Sequence, residues 1–153
     1  MKKINTFLVL GLIVAIISCK KSDDDGIDNT QLVQDKLAGT WVVSSVDLDN
    51  ISETDAFANF QIELDANLGF TSNSTSIQRL PNPWAETGSF TLPDQVADVN
   101  NILITRNDGA AMLFTFSDDS NVTLAFNFSA TNVGSGGRVE AVEGDWVFSF
   151  VKK

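Results

Sequence analysis

The chain has no histidine and no tyrosine, one cysteine and three prolines in 153 residues. Without histidine it lacks the side chain that most often acts as general base and metal ligand near neutral pH. A single cysteine cannot close a disulfide within the chain, so stability must come from packing. Serines are plentiful, but none sits in Gly-x-Ser-x-Gly and no obvious base is present to activate one. No glycine-rich loop lies between a strand and a helix, which leaves nucleotide binding without support. Positive charge is scarce as well, with ten Lys and Arg against twenty Asp and Glu. Holding a phosphate backbone takes clustered cations. Beyond Lys36 the body of the chain offers only Arg79, Arg106, Arg138, Lys152 and Lys153, so nucleic acid is excluded as a partner.

What remains for chemistry is carboxylates. A glycosidase needs two of them flanking the scissile bond, and Glu63, Asp65, Glu86 and Asp98 could be proposed. Glu63 and Asp65 lie on the polar face of an alternating strand, and the other two lie near turns, so solvation explains all four. Asp118, Asp119 and Asn121, or Asn107 and Asp108, could hold Ca²⁺ through oxygen. Neither run has the spacing of an EF-hand loop, and Asp and Asn are favoured in turns for their own backbone hydrogen bonds. No catalytic residue, metal ligand set or cofactor is expected, and the chain does not read as an enzyme.

The amino terminus is more specific. Lys2 and Lys3 precede an uncharged run of eleven residues from Phe7 to Ile17. That run is too short for a transmembrane helix, which needs roughly 20 residues, and it has the layout of a secretory signal peptide. Ile16-Ile17-Ser18-Cys19 resembles a bacterial lipobox, which implies cleavage before Cys19 and lipid on its sulfur. The next residues, Lys20 to Asp25, resemble the acidic export signal of surface lipoproteins of Bacteroidetes, with Ser22, Asp23, Asp24 and Asp25 as its core. These resemblances imply a protein lipid-anchored in the outer membrane and displayed at the cell surface. The alternative is a periplasm-facing lipoprotein whose acidic stretch is only a solvated tether. A diacyl thioether plus an amide-linked chain exceeds the single acyl chain that binds marginally, so the membrane anchor should hold.

Cleavage there leaves 135 residues, eight basic and twenty acidic, a formal charge of −12. The expected organisation is a signal peptide at 1–18, lipidated Cys19 and an acidic tether to residue 30, and one folded domain at 31–153. A domain of this size can bury a core without metal or disulfide help.

Within the domain, Gln31 to Leu37 reads as a short helix, with Asn29 or Thr30 as its cap and Gly39 as its end. After that the period changes to two. Thr40 to Leu48 is apolar and β-branched, as a strand should be. Phe60, Ile62, Leu64, Ala66, Leu68 and Phe70 alternate with polar residues, which predicts one long strand bent or bulged near Asn67 to Gly69. Further strands are expected at Glu86 to Leu92, Asn101 to Arg106, Ala111 to Ser117, Val122 to Ala130, Val139 to Val142 and Asp145 to Lys152. Asn107-Asp108-Gly109 and Ser117 to Asn121 read as tight turns. Thr71 to Gln78 and Gly134 to Gly137 read as loops, and Pro81 and Pro83 keep the stretch around them irregular.

Seven or eight short strands joined by turns describe an all-β antiparallel up-and-down meander. Each strand has one apolar face, so the sheet must close into a barrel or, alternatively, pack as a two-sheet sandwich. Gly39-Thr40-Trp41, at the first strand after a helical turn, resembles the Gly-x-Trp signature of lipocalins. Gly144 to Phe150 looks like the last strand of small lipocalin-like lipoprotein domains from Bacteroidetes. The resemblance implies a barrel that the chain enters at Gly39, with Trp41 closing its narrow end. In that family an Arg following the last strand packs on the Trp; here Arg138 precedes it.

Ten phenylalanines lie beyond the signal segment, nearly all in expected strands. Such bulk predicts a filled interior, with an apolar pocket for a small hydrophobic ligand as the competing outcome. Trp84, after Pro81-Asn82-Pro83, is expected in a loop. There it could fold back over a barrel mouth, or contact a ligand or partner by stacking. The function expected is therefore a non-catalytic envelope lipoprotein that binds a small hydrophobic ligand or serves as an interaction module. The alternative is a surface accessory domain that holds glycans or proteins through loops around Trp84.

Overall fold

The computed structural model describes residues 29–77, 82–133 and 139–153. The expected signal peptide, Cys19, Ser22, Asp23, Asp24, Asp25, Pro81, the 134–137 loop and Arg138 lie outside the described residues. A helix α1 (Thr30–Leu37) leads into nine strands: β1 (Gly39–Leu48), β2 (Ile51–Ser52), β3 (Gln61–Leu64), β4 (Gly69–Ser72), β5 (Thr87–Thr91), β6 (Asn101–Arg106), β7 (Ala111–Phe116), β8 (Asn121–Val133) and β9 (Val139–Lys152). Apart from the two-residue β2, which pairs on the end of β1, each strand is antiparallel to the next, and β9 returns to pair with β1. The sheet therefore closes as an eight-stranded up-and-down barrel, and the sandwich alternative is excluded. β1 and β9 meet from Trp41 opposite Lys152 to Leu48 opposite Trp146, with a bulge between Val43 and Ser45.

Alternation decides which side chains go in. Ile102, Ile104, Met112, Phe114, Val122, Leu124, Phe126, Phe148 and Phe150 are all buried at every second position, so one face of each strand lines the interior. α1 buries Val33 and Leu37 against one end of the barrel, as its spacing predicts. Asn29 takes the N-cap position without a side-chain cap bond; its amide nitrogen instead donates to the carbonyl of Val96, tying the helix start to the β5–β6 loop. At the other end of α1, Trp41 Nε1 donates to Leu37 O at 2.7 Å. That bond satisfies one of the carbonyls a helix end leaves open. Gly39 has φ +126°, a value that side-chain-bearing residues rarely adopt and glycine supplies freely.

Two expectations need correction. The alternating run from Phe60 to Phe70 is not one bent strand but the hairpin β3–β4, with Leu64 opposite Phe70. Asp65 makes the turn: its Oδ1 accepts from the backbone N–H groups of Asn67 at 2.7 Å and Gly69 at 3.0 Å. Leu64 and Phe70 pair at a separation of six, an even number, so the alternation keeps its phase through the turn and period alone does not reveal the break. The strands expected separately at 139–142 and 145–152 are the single strand β9, paired with β8 from Val139 to Val151.

Candidate functional site

The interior is the natural candidate, and it is full. Nine of the ten described phenylalanines and all three tryptophans are buried, Phe128 alone being half-buried. Phe148 stacks between Phe126 and Phe150, with centroids 5.9 and 6.0 Å away. Phe57, from a 3₁₀ turn at Thr54–Phe57, meets Phe148 edge-on at 5.1 Å. The cavity among Leu37, Trp41, Phe90, Phe114 and Phe150 measures about 10 Å³. That is near the lower limit for holding one water, and its walls are apolar. A small hydrophobic ligand needs an order of magnitude more.

Trp84 closes the far part of this core. It comes from the connection between β4 and β5, not from a strand, yet it is only 4 % exposed. Its ring lies 5.6 Å from both Phe60 and Phe148 and 5.9 Å from Phe126. Of the two readings of Trp84, folding back into the barrel is what it does, and its ring leaves almost no exposed face for stacking. Among the described residues its buried Nε1 has no hydrogen-bond partner.

Arg106, which the sequence shows only as one of the few cations, holds that end together. At the inward end of β6 it is 3 % exposed. Nε and Nη2 donate to the two oxygens of Asp108 at 2.9 and 2.7 Å, and Nη1 donates to the Pro83 carbonyl at 2.8 Å. The guanidinium carbon lies 5.4 Å from the Trp84 ring centroid and 5.7 Å from that of Phe126. The bidentate pairing compensates the buried cation. In return, the Arg106 hydrogen bond holds the Asp108 carboxyl below the usual carboxylate range. The signal in the sequence was parity: Arg106 continues the inward series of Ile102 and Ile104, so a charge had to enter the barrel.

The carboxylates stand apart. Glu63 and Asp65 are exposed on the outside of β3 and in its turn, beside an open groove of about 390 Å³, and Asp65 is spent on the turn. Asp98 accepts from the Asn100 N–H and the Asn101 amide, and Asp118 from the Ser120 N–H and the Asn121 amide. Both are turn braces, and among the described residues no group of three or more His, Cys, Asp or Glu could hold a metal ion. Gly39 and Trp41 stand where the chain enters the barrel.

The outer wall holds the remaining feature. Leu103, at 61 % exposure, faces Leu113, at 42 %, across the β6–β7 pair. Both were missed, although the unbroken apolar runs Ile102-Leu103-Ile104 and Met112-Leu113-Phe114 signal them: in a barrel strand, the middle residue of such a run must point outward.

No protein-family model, curated protein or solved structure matches this chain.

Proposed function

We propose that this chain is a non-catalytic envelope domain, anchored in an outer membrane by lipid on Cys19 and displayed at the cell surface, that acts by contact with a partner instead of carrying cargo. The observation that carries the reading is the aromatic filling of the interior, where the cavity among Leu37, Trp41 and Phe150 measures about 10 Å³. The anchor rests on the lipobox-like Ile16-Ile17-Ser18-Cys19 and on the acidic stretch after it. The lipocalin-like reading draws support from the short helix before β1, the Gly39-Thr40-Trp41 entrance and the eight-stranded closure. The absence of histidine and the separation of the carboxylates favour a non-catalytic role.

One observation favours a second reading, a carrier whose site opens when Trp84 withdraws. Trp84 belongs to a connection, and its buried indole N–H has no partner among the described residues. A buried donor left unsatisfied costs about 1–3 kcal/mol, which lowers the cost of moving the ring out.

Native mass spectrometry with organic extraction, on the protein purified from its own envelope, tests both readings. The contact reading expects the polypeptide from Cys19 onward plus its acyl chains and nothing else. A stoichiometric small hydrophobic molecule would establish the carrier, and a polypeptide without acyl chains would remove the anchor.

A further inference from the structure

We propose that the outer wall formed by β6 to β9 docks a protein whose contact face combines an apolar patch with flanking lysines and arginines. This rests on the contact reading above and adds the surface and the chemistry of the partner.

The first observation is a registered apolar line. Leu103 pairs with Leu113, Leu113 with Ala125, and Ala125 with Val147, so the line crosses four strands at one level. At the usual strand spacing it spans about 14 Å. Scattered exposed leucines are ordinary on a protein surface; four outward apolar residues in register are not scattered.

The second is the lack of charge around that line. Its outward neighbours on β6, β7 and β8 include Asn101, Thr105, Thr115, Thr123 and Asn127, and no outward position between Asn101 and Arg106, Ala111 and Phe116, or Asn121 and Ser129 is charged. This occurs in a chain that carries twenty acidic residues. An apolar centre without charge, surrounded by hydrogen-bonding residues, is the composition of an interface core and its rim.

The third is the acidic frame, which selects the occupant. The line ends on Asp47, which pairs with Val147, and Asp145 lies one residue pair beyond. Asp98 and Asp118 stand on the turns at the α1 end. None of these four forms a salt bridge among the described residues, although Lys36, paired with Asp119, also acts on Asp98 and Asp118 from a greater distance; Asp108 is neutralised by Arg106. Backbone N–H and asparagine amide bonds keep Asp98 and Asp118 ionised below the usual carboxylate range. The complement of an uncharged apolar line framed by open aspartates is an apolar patch framed by cations. A second copy would oppose aspartates to aspartates, anionic lipid would be repelled, and a glycan would find no aromatic ring on the wall. The wall offers about fifteen outward residues, short of the roughly 20–30 per side of a stable interface, so the contact is transient and sensitive to salt.

Photo-crosslinking in the native envelope tests this, using the full chain with a benzophenone amino acid at Leu113 or, on the opposite wall, at Thr71. The expected result is a protein adduct from Leu113 whose crosslinked peptide is rich in Lys or Arg. Its yield should drop several-fold when NaCl rises from about 0.05 to 0.5 M, and at least tenfold in Ala125→Lys and Asp145→Lys. Glu63→Lys, on the opposite wall, should leave it unchanged. Thermal melts of each variant establish that the fold is kept, and Ala125→Ser repeats the comparison if Ala125→Lys does not fold. An adduct with a second copy, with lipid or with glycan, or a yield indifferent to salt and to both lysines, overturns the proposal. Protein adducts from Thr71 but not Leu113 also overturn it while leaving the contact reading in place. No protein adduct from either position defeats both.

Discussion

Lys152 lies over Trp41: its ammonium is 5.2 Å from the indole centroid and donates to the Lys36 carbonyl at 2.9 Å. The two residues face each other across the β1–β9 seam. One cation thus serves the aromatic ring that closes this end of the barrel, the seam that closes the sheet, and an open carbonyl in the last turn of α1. Among the described residues Lys152 is the cation that lies over Trp41. Lys152→Met keeps the aliphatic stem and removes the charge, and it should lower stability by about 1–2 kcal/mol. Urea unfolding at neutral pH measures it, and an unchanged midpoint would deny the contact any energetic role.

Trp84 should behave as a core residue despite its place in a connection. Trp84→Ala removes a buried indole from among five phenylalanine rings and should cost about 3–5 kcal/mol. Trp84→Phe should cost far less, because the smaller ring also deletes an indole N–H with no partner among the described residues. Equal losses for the two variants, read from chemical denaturation, would mean that the N–H is satisfied in solution.

The Arg106–Asp108 pair gives a pH dependence whose sign is set. The folded Asp108 carboxyl titrates below its ordinary value, chiefly because Arg106 hydrogen-bonds its ionised form. Its contribution is therefore fully present above the unfolded-state pKa of about 3.9 and is lost as pH falls through the lower folded value. Asp108→Asn should lower stability near pH 7 and flatten the decline below about pH 4. The Asp108 side chain is half-exposed, so solvent screening keeps the difference small. Urea midpoints from pH 7 to 2.5 test it; parallel curves for the two proteins would show that the pair does not titrate with folding.

Much of this architecture was legible from period and turn chemistry. β6 and β7 run over the expected residues to within one position, and the alternating phenylalanines of β8 and β9 point inward as their spacing requires. What escaped was whatever depends on partners distant in sequence. The Phe60 to Phe70 alternation fits a bent strand and a hairpin equally, and only the pairing of Leu64 with Phe70 separates them. Trp84, after two prolines, fits both a fold back over the barrel mouth and an exposed contact, and nothing local reveals the five phenylalanines that make it the former. Arg106 and Leu103 were visible in principle, one as a charge at an inward position and the other as a leucine at an outward one. Each breaks the alternation that made the strand recognisable. On the proposed readings, one breach closes the barrel end and the other faces the partner.

Leu68 shows which of two opposing effects governs the β3–β4 turn. It holds φ +63° without being glycine, while its side chain is 2 % exposed and its carbonyl accepts from the Phe90 N–H at 2.9 Å. A left-handed conformation costs a leucine about 1–2 kcal/mol, and Leu68→Gly would relieve it. The same change empties a buried site, and even Leu→Ala at such sites costs about 2–5 kcal/mol. Burial is the larger effect, so Leu68→Gly should be destabilising by roughly 1–3 kcal/mol net of the relief. A gain in stability on urea unfolding would show instead that turn strain dominates and that the leucine is tolerated, not required.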